Sequence, residues 1–172
     1  MAKRAADATS PNAPAARQVP MRDFSRSLPM SLLRAREAVM RQFRPKLREH
    51  GLTEQQWRIL RALAAIEAAE VTELARTAFL LGPSLSRILR DLEARNLIER
   101  KTAKTDQRRS MVSISKEGVK LMASVAPSSE AIYAEITQRF GARKLAELQE
   151  MLGELEQSLT GLGGGDGAGA DE

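Results

Sequence analysis

The chain has 172 residues, 42% of them hydrophobic and 28% charged, which suffices for one packed domain or two small lobes and excludes a disordered chain. Its 27 Lys and Arg against 22 Asp and Glu leave a formal charge of +5 and an isoelectric point near 10, the balance expected of a protein whose partner is a polyanion. Without Cys and with a single His, His50, the chain has no disulfides, zinc-thiolate sites or thiol chemistry, and no apolar run approaches a membrane span, so a cytoplasmic protein without metal or cofactor is expected.

Residues 1–27 mix Ala, Pro, Ser, Asn and charge, with Pro11, Pro14 and Pro20 and no apolar period, which predicts a flexible arm. The spacing predicts a first helix over about 30–50, closed by Gly51, the residue type that most readily takes the left-handed conformation at a helix C-terminus. Thr53-Glu54-Gln55-Gln56 then fits a capping box opening a second helix to about residue 65. A short helix is expected over 71–79, and Gly82-Pro83 punctuates before the next, with Pro83 suited to its first position. There Leu85, Ile88, Leu89 and Leu92 recur at helical spacing, so one face is apolar while Ser84, Ser86, Arg87 and Arg90 occupy the other.

After Asn96 the period becomes that of two short strands, 97–101 and 110–115, joined by a polar basic loop over 102–109 into a β-hairpin wing. Helices follow over 116–140, where Pro127 is expected to kink or split the run, and over 142–159. The last carries Leu145, Leu148, Leu152, Leu155 and Leu159, a heptad seam that packs either on its own chain or, as the small lobe suggests, on a second copy. Residues 161–172 form a Gly-rich acidic tail expected to be disordered.

The charge is concentrated. Residues 76–109 hold nine basic and four acidic side chains, an excess equal to that of the whole chain. Helix, turn, helix with an exposed Ser/Arg face, then a basic hairpin, is a winged helix-turn-helix in a mainly α fold. An α-helix fits the DNA major groove, where hydroxyls and guanidinium forks bond base edges and phosphates. Ser84, Ser86, Arg87 and Arg90 are the groove-facing candidates, against a reading in which the face is only solvated surface. Within the hairpin, Lys104, Asp106, Arg108 and Arg109 are candidates for DNA contact: an Arg at the tip can enter the minor groove while an Asp two residues earlier steadies its guanidinium. A turn-forming role is the alternative for Asp106.

Asp106-Gln107-Arg108-Arg109, the run Ser113-Ile114-Ser115-Lys116-Glu117-Gly118 and Pro83-Ser84-Leu85-Ser86-Arg87-Ile88-Leu89 resemble the MarR family of bacterial transcription regulators. Leu32-Leu33-Arg34-Ala35-Arg36-Glu37-Ala38, Phe43-Arg44-Pro45 and Leu52-Thr53-Glu54-Gln55-Gln56-Trp57-Arg58 are similar, more narrowly, to the regulators of homoprotocatechuate degradation operons. The resemblance covers about residues 28–160; the long arm, Pro127 and the tail depart from it. It implies a dimeric architecture with interlocked first and last helices, two winged lobes reading palindromic double-stranded DNA, and repression relieved by a small aromatic carboxylic acid. The expected organisation is an arm (1–27), a domain (28–160) with dimerisation helices over about 30–50 and 116–160 around a DNA-binding lobe over about 53–115, and a tail (161–172).

In the first helix the stripe Leu33, Arg36, Met40, Phe43 and Leu47 places Arg36 where a core hydrophobe is expected. A buried guanidinium needs an anion, either a protein carboxylate or an anionic ligand gripped by two parallel bonds. With the resemblance, the ligand is favoured, and Met40, Phe43 and Trp57 are candidates for its apolar walls, though Trp57 alone also fits a plain core. Arg34 and His50 are weaker candidates. An enzyme is not expected, for lack of a nucleophile, a phosphate loop or a spaced carboxylate pair. The competing readings are a ligand-independent architectural DNA binder, a MarR-type regulator of stress or drug-efflux genes, and a helical dimerisation module.

Overall fold

A computed structural model of the protein describes residues 23–160 except 104–105, with the side chains of 102–109 also outside the description. The expected arm is therefore described only from Asp23, and the tail over 161–172 and Lys104 lie outside the described residues. Two units are distinguished, one ending at Ala38 and the other beginning at Val39.

In the first unit, Asp23 caps a 3-10 turn over Phe24–Arg26. The Ser25 hydroxyl and N–H both donate to its carboxyl and hold it below the usual carboxylate range. Helix α1 (Leu28–Glu49) begins in this unit, where Leu28, Leu32 and Leu33 are exposed.

In the second unit α1 ends as its sequence dictates. Gly51 takes φ 65°, its N–H reaches the Arg48 carbonyl and that of Leu52 reaches the Leu47 carbonyl. The capping box is complete: the Gln56 N–H donates to the Thr53 hydroxyl (3.2 Å), and the Thr53 N–H donates to the Gln56 side-chain carbonyl (2.8 Å). Helices α2 (Glu54–Ala64), α3 (Val71–Thr77) and α4 (Gly82–Ala94) then enclose a core centred on Ile59, Leu60, Leu63, Leu74, Leu85, Leu89 and Leu92, all fully buried.

The wing is longer than its apolar pattern. Strands β2 (Ile98–Ala103) and β3 (Asp106–Ile114) pair antiparallel, with a register irregularity between Thr102 and Ala103, so the ladder runs into the expected loop as far as the pair Ala103 and Asp106. Backbone pairing needs no apolar alternation, and these polar residues carry none. The pair Ala69–Glu70, here β1, follows α2 in the chain and lies against Val112 and Met111, giving the sheet order β1-β3-β2. The sequence expectation contained only the hairpin.

Helix α5 (Lys116–Phe140) is continuous through Pro127, which corrects the expected split. Proline removes one N–H, and the carbonyl this frees, four residues back at Ala123, belongs to an exposed residue that water can serve. Pro83 occupies the second rather than the first position of α4, where the N–H is equally unclaimed by the helix. Helix α6 (Ala142–Thr160) packs on α5 but buries none of its residues: Leu145 and Leu155 are half-buried, while Leu148, Leu152 and Leu159 are exposed. Among the described residues no helix is long and apolar enough to cross a membrane, and no cluster of His, Asp or Glu forms a metal site.

Candidate nucleic-acid interface and ligand cavity

The period of α4 separates two jobs. Leu85, Leu89 and Leu92 are fully buried, whereas Ser84, Ser86, Arg87 and Arg90 all stand exposed, as the sequence predicts for a reading helix. Arg90 lies along the helix, its Nε 3.4 Å from the Ser86 carbonyl. Ser84, Arg87 and Ile88 line an open groove of about 500 Å³ shared with Thr53, Gln55, Gln56, Leu80 and Asp91. The buried Gln56 ties the start of α2 to this helix: its amide carbonyl completes the capping box while its amide N–H donates to the Asp91 carboxylate. Asp91 also lies 3.6 Å from the Arg95 guanidinium, so the acidic residue on the reading helix is engaged within the protein. Asp106, Arg108 and Arg109 fall on β3, with side chains outside the described residues.

The far end of α4 is fixed by one hydroxyl. Ser115 Oγ donates to the Asn96 carbonyl at 2.6 Å and accepts the Gly118 N–H at 3.0 Å, joining the end of α4, the base of the wing and the start of α5. Gly118 is required there, because a Cβ would fall 2.2 Å from the Leu97 carbonyl oxygen.

A second feature lies between α2 and α5, an open pocket of about 690 Å³. Trp57, Ile114, Met122 and Ala126 give it apolar walls, and Arg61, Glu67, Ser129 and Glu130 bring polar groups to it. Among the described residues the Ser129 hydroxyl, in a residue only 4% exposed, has no hydrogen-bond partner. Of the expected ligand residues, Trp57 lines this cavity; Phe43 is core, its ring 5.0 Å from that of Tyr133, and Met40 packs against the same core. Arg36 belongs to the first unit, where its exposed guanidinium donates to the Glu37 carboxylate at 2.9 Å. The more deeply placed carboxylate is Glu54, which accepts from Arg44 and from Arg58, each at 3.0 Å.

Comparison with known proteins places this geometry. The MarR family model matches residues 50–109, from the end of α1 into the wing. The homoprotocatechuate degradative operon repressor of Escherichia coli is 41% identical over 129 residues, which span 75% of this chain and 87% of that protein. The chain belongs to the MarR family. Among solved structures, transcriptional regulator PA4135 superposes with a TM-score of 0.74 at 44% identity, covering 76% of this chain and 96% of that one. NadR in complex with 4-hydroxyphenylacetate superposes with a TM-score of 0.69 at 37% identity, covering 80% of this chain and 97% of that one. The winged helix-turn-helix read from the sequence is thus the MarR fold, and these relatives are transcription regulators.

Two residues of this pocket were not singled out by sequence reasoning. Arg61 follows Trp57 by four positions and so shares its face of α2, a signal that was present. Ser129 had no such signal, because its place beside Trp57 depends on where α5 crosses α2.

Proposed function

We propose that the protein is a cytoplasmic, non-catalytic, homodimeric repressor of an operon for an aromatic compound of the homoprotocatechuate or hydroxyphenylacetate type, released from its operator by an aromatic carboxylic acid. The similarity to a repressor of a homoprotocatechuate operon and to a 4-hydroxyphenylacetate complex supports this reading. In it Ser84, Ser86, Arg87 and Arg90 enter the major groove, Arg108 enters the minor groove steadied by Asp106, and Lys104 and Arg109 neutralise phosphates. The heptad leucines of α6 and the helical region over about 30–50 hold the dimer, the lobe over about 53–115 reads DNA, and two lobes address the halves of a palindrome.

The observation that carries the ligand half is the Trp57 cavity. An aromatic ring fits its apolar walls and the Arg61 guanidinium suits a carboxylate, while the buried Ser129 hydroxyl beside them has no hydrogen-bond partner among the described residues. A phenolic O–H can be donated to Glu67 or Glu130 at the same cavity. Arg36 is the second candidate for the carboxylate. Such a guest relieves repression only through a higher affinity for the conformation that fits the operator poorly, and operator must weaken the acid by the factor by which the acid weakens operator.

Calorimetry with 4-hydroxyphenylacetate on wild type, Arg61→Ala and Arg36→Ala tests it. The expected result is binding by wild type, lowered at least about tenfold in Arg61→Ala, the loss of one charge-assisted bond pair. Loss in Arg36→Ala alone moves the carboxylate to Arg36, and equal binding by all three proteins removes both guanidinium assignments.

A further inference from the structure

Three helices of the chain end in the same way, and one of them breaks the rule for the residue at the turn. After α1, α3 and α4 the closing residue takes a left-handed conformation, and its own N–H and that of the following residue bond back into the last turn. The residues are Gly51 (φ 65°), Phe79 (φ 51°) and Asn96 (φ 56°). Gly and Asn are the residue types this position favours, since a larger side chain strains the backbone there. Phe79 meets that strain and gains no burial in return: it is 79% exposed.

Its neighbours sharpen the anomaly. Leu80 turns inward against the core, and Leu81 is again 79% exposed although it is the N-cap of α4, a position where Ser, Thr, Asp or Asn would bond the free N–H groups and where no side-chain cap exists. Two large apolar side chains thus stand in solvent at the mouth of the reading helix, at positions where local stability favours small polar residues. They adjoin the groove that Leu80 lines with Ser84 and Arg87.

We infer that Phe79 and Leu81 are specificity-determining residues that pack on thymine C5-methyl groups at the edge of the major groove. The methyl is the one apolar feature that the major-groove edge of a base pair offers, and it distinguishes a T·A pair by contact rather than by hydrogen bonding. The inference rests on the DNA-binding reading above and extends it from polar contacts to an apolar one.

The test uses a duplex selected by the full-length wild-type protein from a randomised pool, prepared once with thymine and once with deoxyuridine, which lacks only the methyl. The variants are Phe79→Asn and Leu81→Ser, separately and together. Both introduce the residue type that the backbone prefers, so their melting temperatures should rise or hold, which separates loss of binding from loss of fold. Wild type should bind the thymine duplex about tenfold more tightly than the deoxyuridine duplex, and the double variant should bind both alike, near the weaker value. Equal affinity of wild type for the two duplexes overturns the inference, as does a double variant that keeps the wild-type preference or loses the same factor on both. If wild type selects no duplex, the regulator reading itself falls and takes this inference with it.

Discussion

Helix α2 buries Gln56, Trp57, Ile59, Leu60 and Leu63 within 11 residues, whereas the 19 residues of α6 bury none, although five leucines recur along it at heptad spacing. The two helices carry the same kind of signal and differ in what covers it. Around α2, the side chains of α3, α4, β2 and β3 close a core from within the chain. Along α6, the leucines meet α5 on one side and solvent on the other. Apolar periodicity therefore predicts that a face must be covered, and says nothing of which chain covers it.

Four substitutions probe that difference, in decreasing order of effect on the fold. Leu60→Ala empties a fully buried position and should cost about 2 to 5 kcal/mol in a urea titration, a loss no partner chain can offset. Gly118→Ala drives a Cβ against the Leu97 carbonyl and should cost about 1 to 3 kcal/mol, with hydrogen exchange rising at the base of the wing. Thr53→Ala removes half of the capping box and should lower stability by about 1 kcal/mol, read as a shift in thermal melting. Leu152→Glu should leave hydrogen exchange in α2 and α4 unchanged to within about 0.5 kcal/mol while light scattering reports loss of the proposed dimer. A Leu152→Glu protein that stays a tight dimer would show that α6 is complete on its own chain, and the contrast with α2 would disappear.

The parts of the fold that were legible are those whose signals are local. Gly51 ends α1, the Thr53 and Gln56 pair starts α2, and the alternation of faces along α4 separates leucines from serines and arginines. Strand β1 was not legible, because two residues cannot display an alternation and Ala69–Glu70 pair only through the backbone to β3. The extension of the hairpin through Ala103 and Asp106 escaped for the same reason. At the candidate sites, the reading face of α4 followed from one helix. The cavity did not, since Trp57 and Ser129 lie on helices that meet only in three dimensions. Arg36 shows the converse: its place in an apolar stripe implied burial, yet among the described residues of its own unit Leu33 and Arg36 stand exposed and Glu37 supplies the anion.

The joint at Ser115 has a mechanical corollary. Gly118 sits against the Leu97 carbonyl without room for one more carbon, and the Ser115 hydroxyl bonds to the chain on both sides of that contact, so the base of α5 is held closely to the lobe. With 25 residues, α5 is a rod about 37 Å long, so a tilt of about 5° at its base displaces its far end by about 3 Å. In the proposed dimer a pair of lobes would have to match half-sites spaced roughly 34 Å apart, so angular play too small to disturb any packed core would still carry one lobe out of its groove.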